Sequence, residues 1–391
     1  MSRGRHPNGK KSFAIDDEAL LPNGKLSGIN GFGHQESGTN GASLRHHILK
    51  EAANGKGRKV NGENRFTVAS LFSGIGGFDL GFESAGFETT FQCEIHDFCL
   101  SILEKHWPNV PKWKNIKELN NANIPISDVW TAGFPCQDVS LARMGPRAGL
   151  KGSRSGLFHE FARLVGEGRP RVVLLENVHG LLSSHKGRDF QIVIRTLAEL
   201  GYSVGWRVLN SKNFGVPQSR QRVYIVGCYR DDTGPTKILF EAERREGHVE
   251  TLETNGKKPV SPFKRVLENL GGERPVVQAI AYCLYACSAR HTGTDWSRPY
   301  VSYPHKGMVR RLTPRECEGI TGFPVGWTIS ENTKFIRDDL DSLRYHALGN
   351  AVTPPVAEWL AHRVKAYLAS RSDEISEGQT LKTAFCNANS A

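Results

Sequence analysis

Cys136, in the stretch TAGFPCQDVS, follows a proline at the end of an apolar run and precedes polar, turn-like residues. Taken alone it reads as a buried thiol, because free cysteine is among the most buried residue types. The other reading is a nucleophile presented at the mouth of a site. Glu176 closes the apolar run of LLENV, where desolvation raises a carboxyl pKa and lets it donate a proton near neutral pH. Arg220 and Arg222, in QSRQRVYIVG, alternate at period two and so point the same way. Two such guanidiniums suit a carbonyl or phosphate partner through fork-like hydrogen bonds. Singly, each of these is equally an ordinary strand end or strand entry.

A fourth feature lies upstream. LFSGIGGFDLGF directly follows a strand pattern and opens a helical one. Glycines there let backbone N–H groups approach a ligand at the helix N-terminus. The spacing of Gly74, Gly76 and Gly77 is not the GxGxxG of dinucleotide enzymes. Glu94, at the end of the next strand, is placed to bind ribose hydroxyls, which points to an adenosine-containing cofactor.

The elements that must position these residues alternate from Arg65 onward. RFTVASLF reads as a strand, GGFDLGFESAG as a helix that Gly86 ends, FETTFQCE as a strand and IHDFCLSILEKHW as a helix. SDVWTAG is a strand followed by a long Gly/Arg/Ser-rich loop to position 155. GLFHEFARLVGEG, RVVLLENV and DFQIVIRTLAELG then read as helix, strand and helix. YSVGWRVLN and RVYIVGCYR are close enough in sequence to pair as an antiparallel edge. The alternation predicts an α/β fold with a doubly wound, mostly parallel sheet. Cys136 and Glu176 would then both end strands of one sheet, at the edge where such sheets bind ligands.

Residues 1–64 lack an apolar period and predict a flexible basic extension. Residues 231–308 lose the alternating rhythm and predict a smaller, irregular, β-rich domain. Helical signals return at TPRECEGITGF, with Thr313 as N-cap and Pro314 at the first helical position, and at PPVAEWLAHRVKAYLAS. This assigns 65–230 and 309–371 to one large domain and 372–391 to a tail.

With 391 residues, 38% hydrophobic content and mean hydropathy −0.41, a soluble globular protein is expected. No apolar run approaches the roughly 18 residues of a membrane span, and the N-terminal stretch has no signal-type apolar region. A cytoplasmic protein with no membrane partner is the expectation. The eight cysteines form no CxxC pair, and Cys283 with Cys287 has no downstream Cys/His pair, so neither a metal site nor a disulfide framework is expected. A net charge of +11 and a pI near 9.3 favour a polyanionic partner.

The order of the motifs is more specific than any one of them. FSGIGG, GFPCQDVS, RSGLF, LLENV, QSRQRVYIVG, RRLTPRECEGITGFP and GNAVTPPV run in sequence across residues 72–356. Together they closely resemble the motif series of the DNA (cytosine-5)-methyltransferases. The resemblance covers all but the N-terminal extension, residues 231–308 and the tail. It implies a Rossmann-like S-adenosylmethionine-dependent methyltransferase domain, with 231–308 as the target-recognition domain.

Residue by residue, the resemblance makes Cys136 the nucleophile. Glu176 would hold ring nitrogen 3 of a cytosine, Arg222 its carbonyl oxygen, and Arg220 the cysteine loop or a phosphate. Phe72, Ser73, Gly74, Gly76 and Gly77 would form the S-adenosylmethionine loop, with Glu94 on the ribose and Ile95 against the adenine. Pro135 and Leu157 would line the cofactor pocket, and Asn350 and Ala351 would close it. Gln218, Arg290, His291 and Trp296 are candidate DNA contacts. Two departures stand out. Ser70 replaces an aspartate common before LF, and Asn115 replaces an aspartate that would accept from the adenine amino group, which an amide carbonyl can also do.

The implied reaction is transfer of a methyl group from S-adenosylmethionine to carbon 5 of a flipped-out cytosine in a specific duplex sequence, through a covalent cysteine adduct. The implied partner is double-stranded DNA, acted on by a monomer in bacterial or phage restriction-modification or orphan methylation, with a cognate restriction endonuclease in the first case. An RNA cytosine methyltransferase on the same scaffold would lack a full recognition stretch. A catalytically silent DNA-binding regulator would not need Cys136, Glu176 and Arg222 intact, and a nicotinamide oxidoreductase is disfavoured by the glycine spacing.

Overall fold

Continuous apolar runs such as VVLLENV form strands buried on both faces, which only a sheet covered by helices on both sides accommodates. The computed structural model has that arrangement. It describes residues 58–60, 63–135, 156–240, 276–277, 279–284, 286, 299–303, 306, 308–332 and 340–388. All of them lie in one unit, Leu49–Ala391.

A short antiparallel pair, β1 (Arg58–Val60) and β2 (Glu63–Arg65), is found inside the segment expected to be a flexible extension. The alternating region then gives β3 (Thr67–Leu71), α1 (Gly77–Ser84), β4 (Glu88–Cys93), α2 (Asp97–His106), β5 (Lys112–Trp113), β6 (Val129–Ala132), α3 (Leu157–Gly168), β7 (Val172–Val178), α4 (Arg188–Glu199), β8 (Tyr202–Asn210), β9 (Gln218–Ser219), β10 (Gln221–Tyr229) and α5 (Gly234–Leu239). Seven strands form one sheet in the order β5-β4-β3-β6-β7-β10-β8. β3 to β7 are parallel, and β10 runs antiparallel to both β7 and β8. The expected antiparallel edge is therefore present, with β10 inserted between β7 and β8.

The strand order reverses between β3 and β6. In a doubly wound sheet the crevice at that switch point, beyond the carboxyl ends of the strands, is where ligands bind. Residues 72–74 and 133–135 leave β3 and β6 there.

Each face of the sheet has its own core. On one, α3 and α4 bury Phe158, Phe161, Val193 and Leu197 against Phe91, Trp130 and Leu175. On the other, α1 and the last helix bury Phe78, Phe82, Val356, Leu360 and Val364 against Val68, Val129 and Val172. α5 joins this second core through Ile238 and Leu239, both fully buried. The first residues of the stretch expected to form a separate domain thus pack with the main sheet, because their apolar side chains find its core.

Beyond α5, β11 (Val276–Val277), β13 (Tyr300–Tyr303) and β14 (Met308–Arg311) form a small antiparallel sheet. β12 (Ala281–Tyr282) instead pairs parallel with β9. α6 (Pro314–Thr321) begins as its sequence predicts. Thr313 Oγ1 accepts from Glu316 N, and the Glu316 carboxylate accepts from Thr313 N at 2.7 Å. α7 (Leu340–Asn350) and α8 (Pro354–Ala388) complete the chain, α8 continuing through most of the expected tail. Among the described residues no helix is long and apolar enough to cross a membrane.

Candidate active site

The β7–β10 ladder pairs Tyr224 with Glu176 and Arg222 with Val178. Arg222 is therefore the diagonal neighbour of Glu176 on the same face, within reach of a long side chain. Arg222 Nε lies 3.0 Å from Glu176 Oε1, with the two side chains 14% and 9% exposed. Burial pushes the Glu176 carboxyl above its ordinary range, and the guanidiniums of Arg222 and Arg220 offset this only in part. The shift is in the direction that a proton donor needs.

Asn177 points the other way along β7 and reaches the neighbouring strand's exit. Its Nδ2 donates to Phe134 O at 3.3 Å, and its Oδ1 accepts from Val178 N at 2.8 Å. A methyl group placed on Gly133 would lie 3.9 Å from Glu176 Oε2, 3.9 Å from Phe72 O and 3.8 Å from Val352 Cγ2. The exits of β3, β6 and β7 and the entry to α8 thus meet around Gly133. Pro135, half-buried, is the last described residue of this turn. Cys136 follows it and lies outside the described residues, as do Arg290, His291 and Trp296.

At the end of β3, Phe72 takes a left-handed backbone conformation (φ 56°), sparsely populated for a non-glycine residue, and Gly74 follows it at φ 57°. Ser73 is tied down by Ser73 N donating to Cys93 O at 3.0 Å and Ser73 Oγ to Ser70 O at 3.0 Å. The Glu94 carboxylate accepts from Gly74 N and from His96 N, each at 2.8 Å. Burial raises its pKa against the pull of those two N–H groups.

The three glycines divide their work. A Cβ at Gly74 would meet nothing within 4 Å, whereas one at Gly76 would strike Trp107 at 2.4 Å and one at Gly77 would strike Val352 O at 2.3 Å. Gly74 faces open space, while Gly76 and Gly77 let α1 pack against Trp107 and the C-terminal return. Trp327 Nε1 donates to Ile75 O at 2.8 Å and fixes the loop from the same side. Ser70 donates to Asp79 Oδ2 at 3.0 Å, so a carboxylate from α1 sits against position 70.

An adenosine-bearing ligand fits this edge. Glu94 keeps lone pairs for hydroxyl donors, and the neighbouring Ile95 is 63% exposed, an apolar surface for an aromatic ring. Leu157 begins α3 and packs against the core that contains Phe134. Asn115 is engaged locally, its Oδ1 accepting from Lys117 N at 3.1 Å and its Nδ2 donating to Glu118 Oε1 at 2.7 Å. Asn350 is exposed at the end of α7, 3.5 Å from His346 Nε2. Ala351 is buried.

Arg220 differs from the phosphate ligand that its spacing also allowed. It is 2% exposed and donates to backbone oxygens, to Gly349 O at 3.1 Å and Leu284 O at 3.4 Å through Nη1, and to Ala351 O at 2.8 Å through Nη2. It is a clamp between β10 and the C-terminal return. Gln218 is fully buried, and neither of its side-chain polar atoms has a hydrogen-bond partner among the described residues. A fully buried amide is out of reach of DNA in this conformation. Both arginines also approach the sulfur of Cys283, Arg220 Nη1 at 3.6 Å and Arg222 Nη2 at 3.9 Å. Asn177 and Cys283 are the residues that sequence reasoning did not assign. Asn177 sits inside the LLENV motif, whereas Cys283 carries no motif.

The same elements recur in known proteins. The family model for C-5 cytosine-specific DNA methylases matches residues 66–270 and 234–366. The type II methyltransferase M2.BsuMI of Bacillus subtilis (strain 168) is 31% identical over 318 residues, 78% of this chain and 77% of its own. The type II methyltransferase M.SsoII of Shigella sonnei is 32% identical over 330 residues, 79% and 83% of the two chains. Among solved structures, the S. pombe Dnmt2 methyltransferase superposes with a TM-score of 0.54 at 19% identity, over 78% of this chain and 99% of that one, and so shares its fold. The match to the family runs through the glycine loop, the β7 carboxylate, the paired arginines and the C-terminal return alike. This chain belongs to the C-5 cytosine-specific DNA methylase family and is a DNA cytosine-5 methyltransferase.

Proposed function

We propose that the chain methylates carbon 5 of a cytosine in a specific duplex DNA sequence, with Cys136 as nucleophile, Glu176 as proton donor and Arg222 as ligand of the cytosine carbonyl. The observation that carries this reading is the Glu176–Arg222 pair, tied through Asn177 to the turn that leads into Cys136.

Carbon 5 of cytosine is a poor nucleophile. Addition of the Cys136 thiolate to carbon 6 makes it enamine-like, and the charge entering the ring needs a proton or hydrogen bond at nitrogen 3, which a protonated Glu176 supplies. Arg222 stabilises the same charge at the carbonyl oxygen. The loop at Gly74, Glu94 and Ile95 would hold S-adenosylmethionine, which would supply an electrophilic methyl group for carbon 5 to attack. Loss of the carbon 5 proton and expulsion of the Cys136 thiolate then restore the aromatic ring.

The target atom is inaccessible in a duplex, so the base is flipped out at a cost of a few kcal/mol, offset by phosphate contacts of a basic surface. Residues 231–308 would read the sequence, and the type II names of the relatives favour a restriction-modification role beside an endonuclease of the same specificity.

Duplex DNA carrying 5-fluorocytosine at the target tests the reading, because fluorine blocks the final elimination. With S-adenosylmethionine the protein is expected to form a denaturation-resistant adduct, and Cys136→Ser to form none. Full methyl transfer by Cys136→Ser would remove Cys136 from the mechanism.

A further inference from the structure

The last two residues of α2 grip the segment that follows α6. Lys105 Nζ donates to Ile329 O at 3.1 Å, and His106 Nε2 lies 3.0 Å from Trp327 O. The half-buried imidazole of His106 also lies flat on the Trp327 indole, with ring centroids 3.5 Å apart and planes 5° apart. Burial lowers the His106 pKa, against the pull of the Trp327 carbonyl, so the ring is neutral near pH 7. With a carbonyl as its partner, Nε2 is the nitrogen that carries the proton.

The indole in turn reaches the glycine loop. Trp327 is buried, and its Nε1 donates to Ile75 O at 2.8 Å. Ile75 stands between Gly74, whose N–H holds the Glu94 carboxylate, and Gly76, which packs against Trp107. Glu318 fixes the backbone on either side of Trp327, accepting from Gly326 N at 2.6 Å and from Thr328 N at 2.8 Å. The orientation of the indole is left to its neighbours, because the outer torsion of such a ring is broad and soft. Trp107 meets it near-perpendicular at 5.6 Å, Phe323 tilts against it at 5.6 Å, and His106 alone of the three lies parallel to its face.

We propose that His106 is a positioning residue for the cofactor, its ring holding the Trp327 indole in the orientation that fixes the Ile75 carbonyl and, with it, the loop that carries Gly74. The inference rests on the reading of that loop as the S-adenosylmethionine site. A loop held in its binding conformation has less ordering to do when the ligand arrives, so the contribution of His106 falls on cofactor affinity and not on the chemical step.

Calorimetric titration of the full chain with S-adenosylmethionine, beside methylation kinetics on unmethylated plasmid DNA, tests this. His106→Ala is expected to raise the Kd and the KM for the cofactor about fivefold, the share of one aromatic pair, with kcat within about twofold of wild type. His106→Phe keeps a ring on the indole and is expected to recover most of the affinity. Trp327→Phe removes the donor to Ile75 O and is expected to bind at least as weakly as His106→Ala. Adding His106→Ala to it should weaken binding no further, because the effect runs through the indole. Should the alanine variant not fold, His106→Gln, which keeps a donor for Trp327 O without the ring, carries the same expectation. Wild-type affinity in a folded alanine or glutamine variant, a fall in kcat at unchanged KM, no recovery by phenylalanine, or additive losses in the double variant overturns the proposal. Glu94→Ala is run alongside. If it binds as wild type does, the cofactor reading of this edge has failed; if it binds weakly while the His106 variants keep wild-type affinity, only the role of His106 has.

Discussion

The side-chain amide of Asn177 reaches the carbonyl oxygen of Phe134, 3.3 Å away, and joins the strand that carries Glu176 to the turn that leads into Cys136. The bond itself contributes about 1 kcal/mol. Its larger effect is geometric, since a misplacement of about 1 Å in a reacting group costs on the order of a hundredfold in rate. Asn177→Ala is expected to lower turnover ten- to a hundredfold while the thermal midpoint falls by only about 2–4 °C. Methyl-transfer kinetics beside thermal unfolding separate the two effects. A fall in activity fully explained by unfolded protein would make Asn177 a stability residue only.

Glu176→Gln retains the shape of the side chain and removes the transferable proton. Turnover is expected to drop by about 10²–10⁴, the usual share of a general acid, with DNA affinity within a few-fold of wild type. The pH dependence follows from the direction of the shift. Burial, against Arg222 and Arg220, raises the Glu176 pKa, so the protonated form persists above the ordinary carboxylate range and is lost as the pH rises through the raised value. The wild-type rate should therefore have an alkaline limb owed to Glu176. The glutamine variant should lack the alkaline limb in a kcat–pH profile.

The strands and helices were legible because the sheet is buried on both faces, so that β7 reads as an unbroken apolar run and α4 buries Val193 and Leu197 one turn apart. Thr313, Pro314 and Glu316 announce a helix start by local chemistry alone. That Glu176 and Arg222 serve one base was implied by the order of the motifs, whereas their placement on one face comes from the β7–β10 register. What was hidden depends on partners distant in sequence. Arg220 looks like a second anion ligand until residues 349–351 arrive beneath it, and the packing role of Gly76 and Gly77 emerges only when Trp107 and Val352 occupy the space a side chain would need. Cys283 acquires its place only through a two-residue parallel ladder, too short to leave a pattern.

Arg220 makes a prediction of a different kind from Arg222. Its guanidinium satisfies the carbonyl oxygens of Gly349 and Ala351, and Arg220→Ala strands both in a buried setting. The expected loss is about 2–4 kcal/mol of stability, accompanied by weaker S-adenosylmethionine binding because Asn350 and Ala351 are released. Arg220→Lys keeps the charge but not the two-armed reach, and should recover only part of the loss. Denaturant unfolding and calorimetric titration of the cofactor measure both. An alanine variant as stable as wild type would rule out the clamp.

Asp79 links the cofactor loop to stability through pH. It is fully buried beneath the loop, accepting from Ser70 Oγ at 3.0 Å and from Gln92 Nε2 at 2.8 Å. Burial nevertheless raises its pKa from 3.8 to about 6. The folded state then holds this proton over a range where the unfolded state has released it. Stability is therefore highest below the unfolded value, falls as the pH rises from about 4 to about 6, and is flat above that. The cost at neutral pH is on the order of 3 kcal/mol. Asp79→Asn keeps the shape, can accept from Gln92 and donate to Ser70, and carries no charge to desolvate. Its thermal midpoint should exceed that of wild type at pH 8, with the difference shrinking as the pH approaches 4. Calorimetric scans across that range check the slope. A difference that stayed constant with pH would mean that the buried charge of Asp79 is not its source.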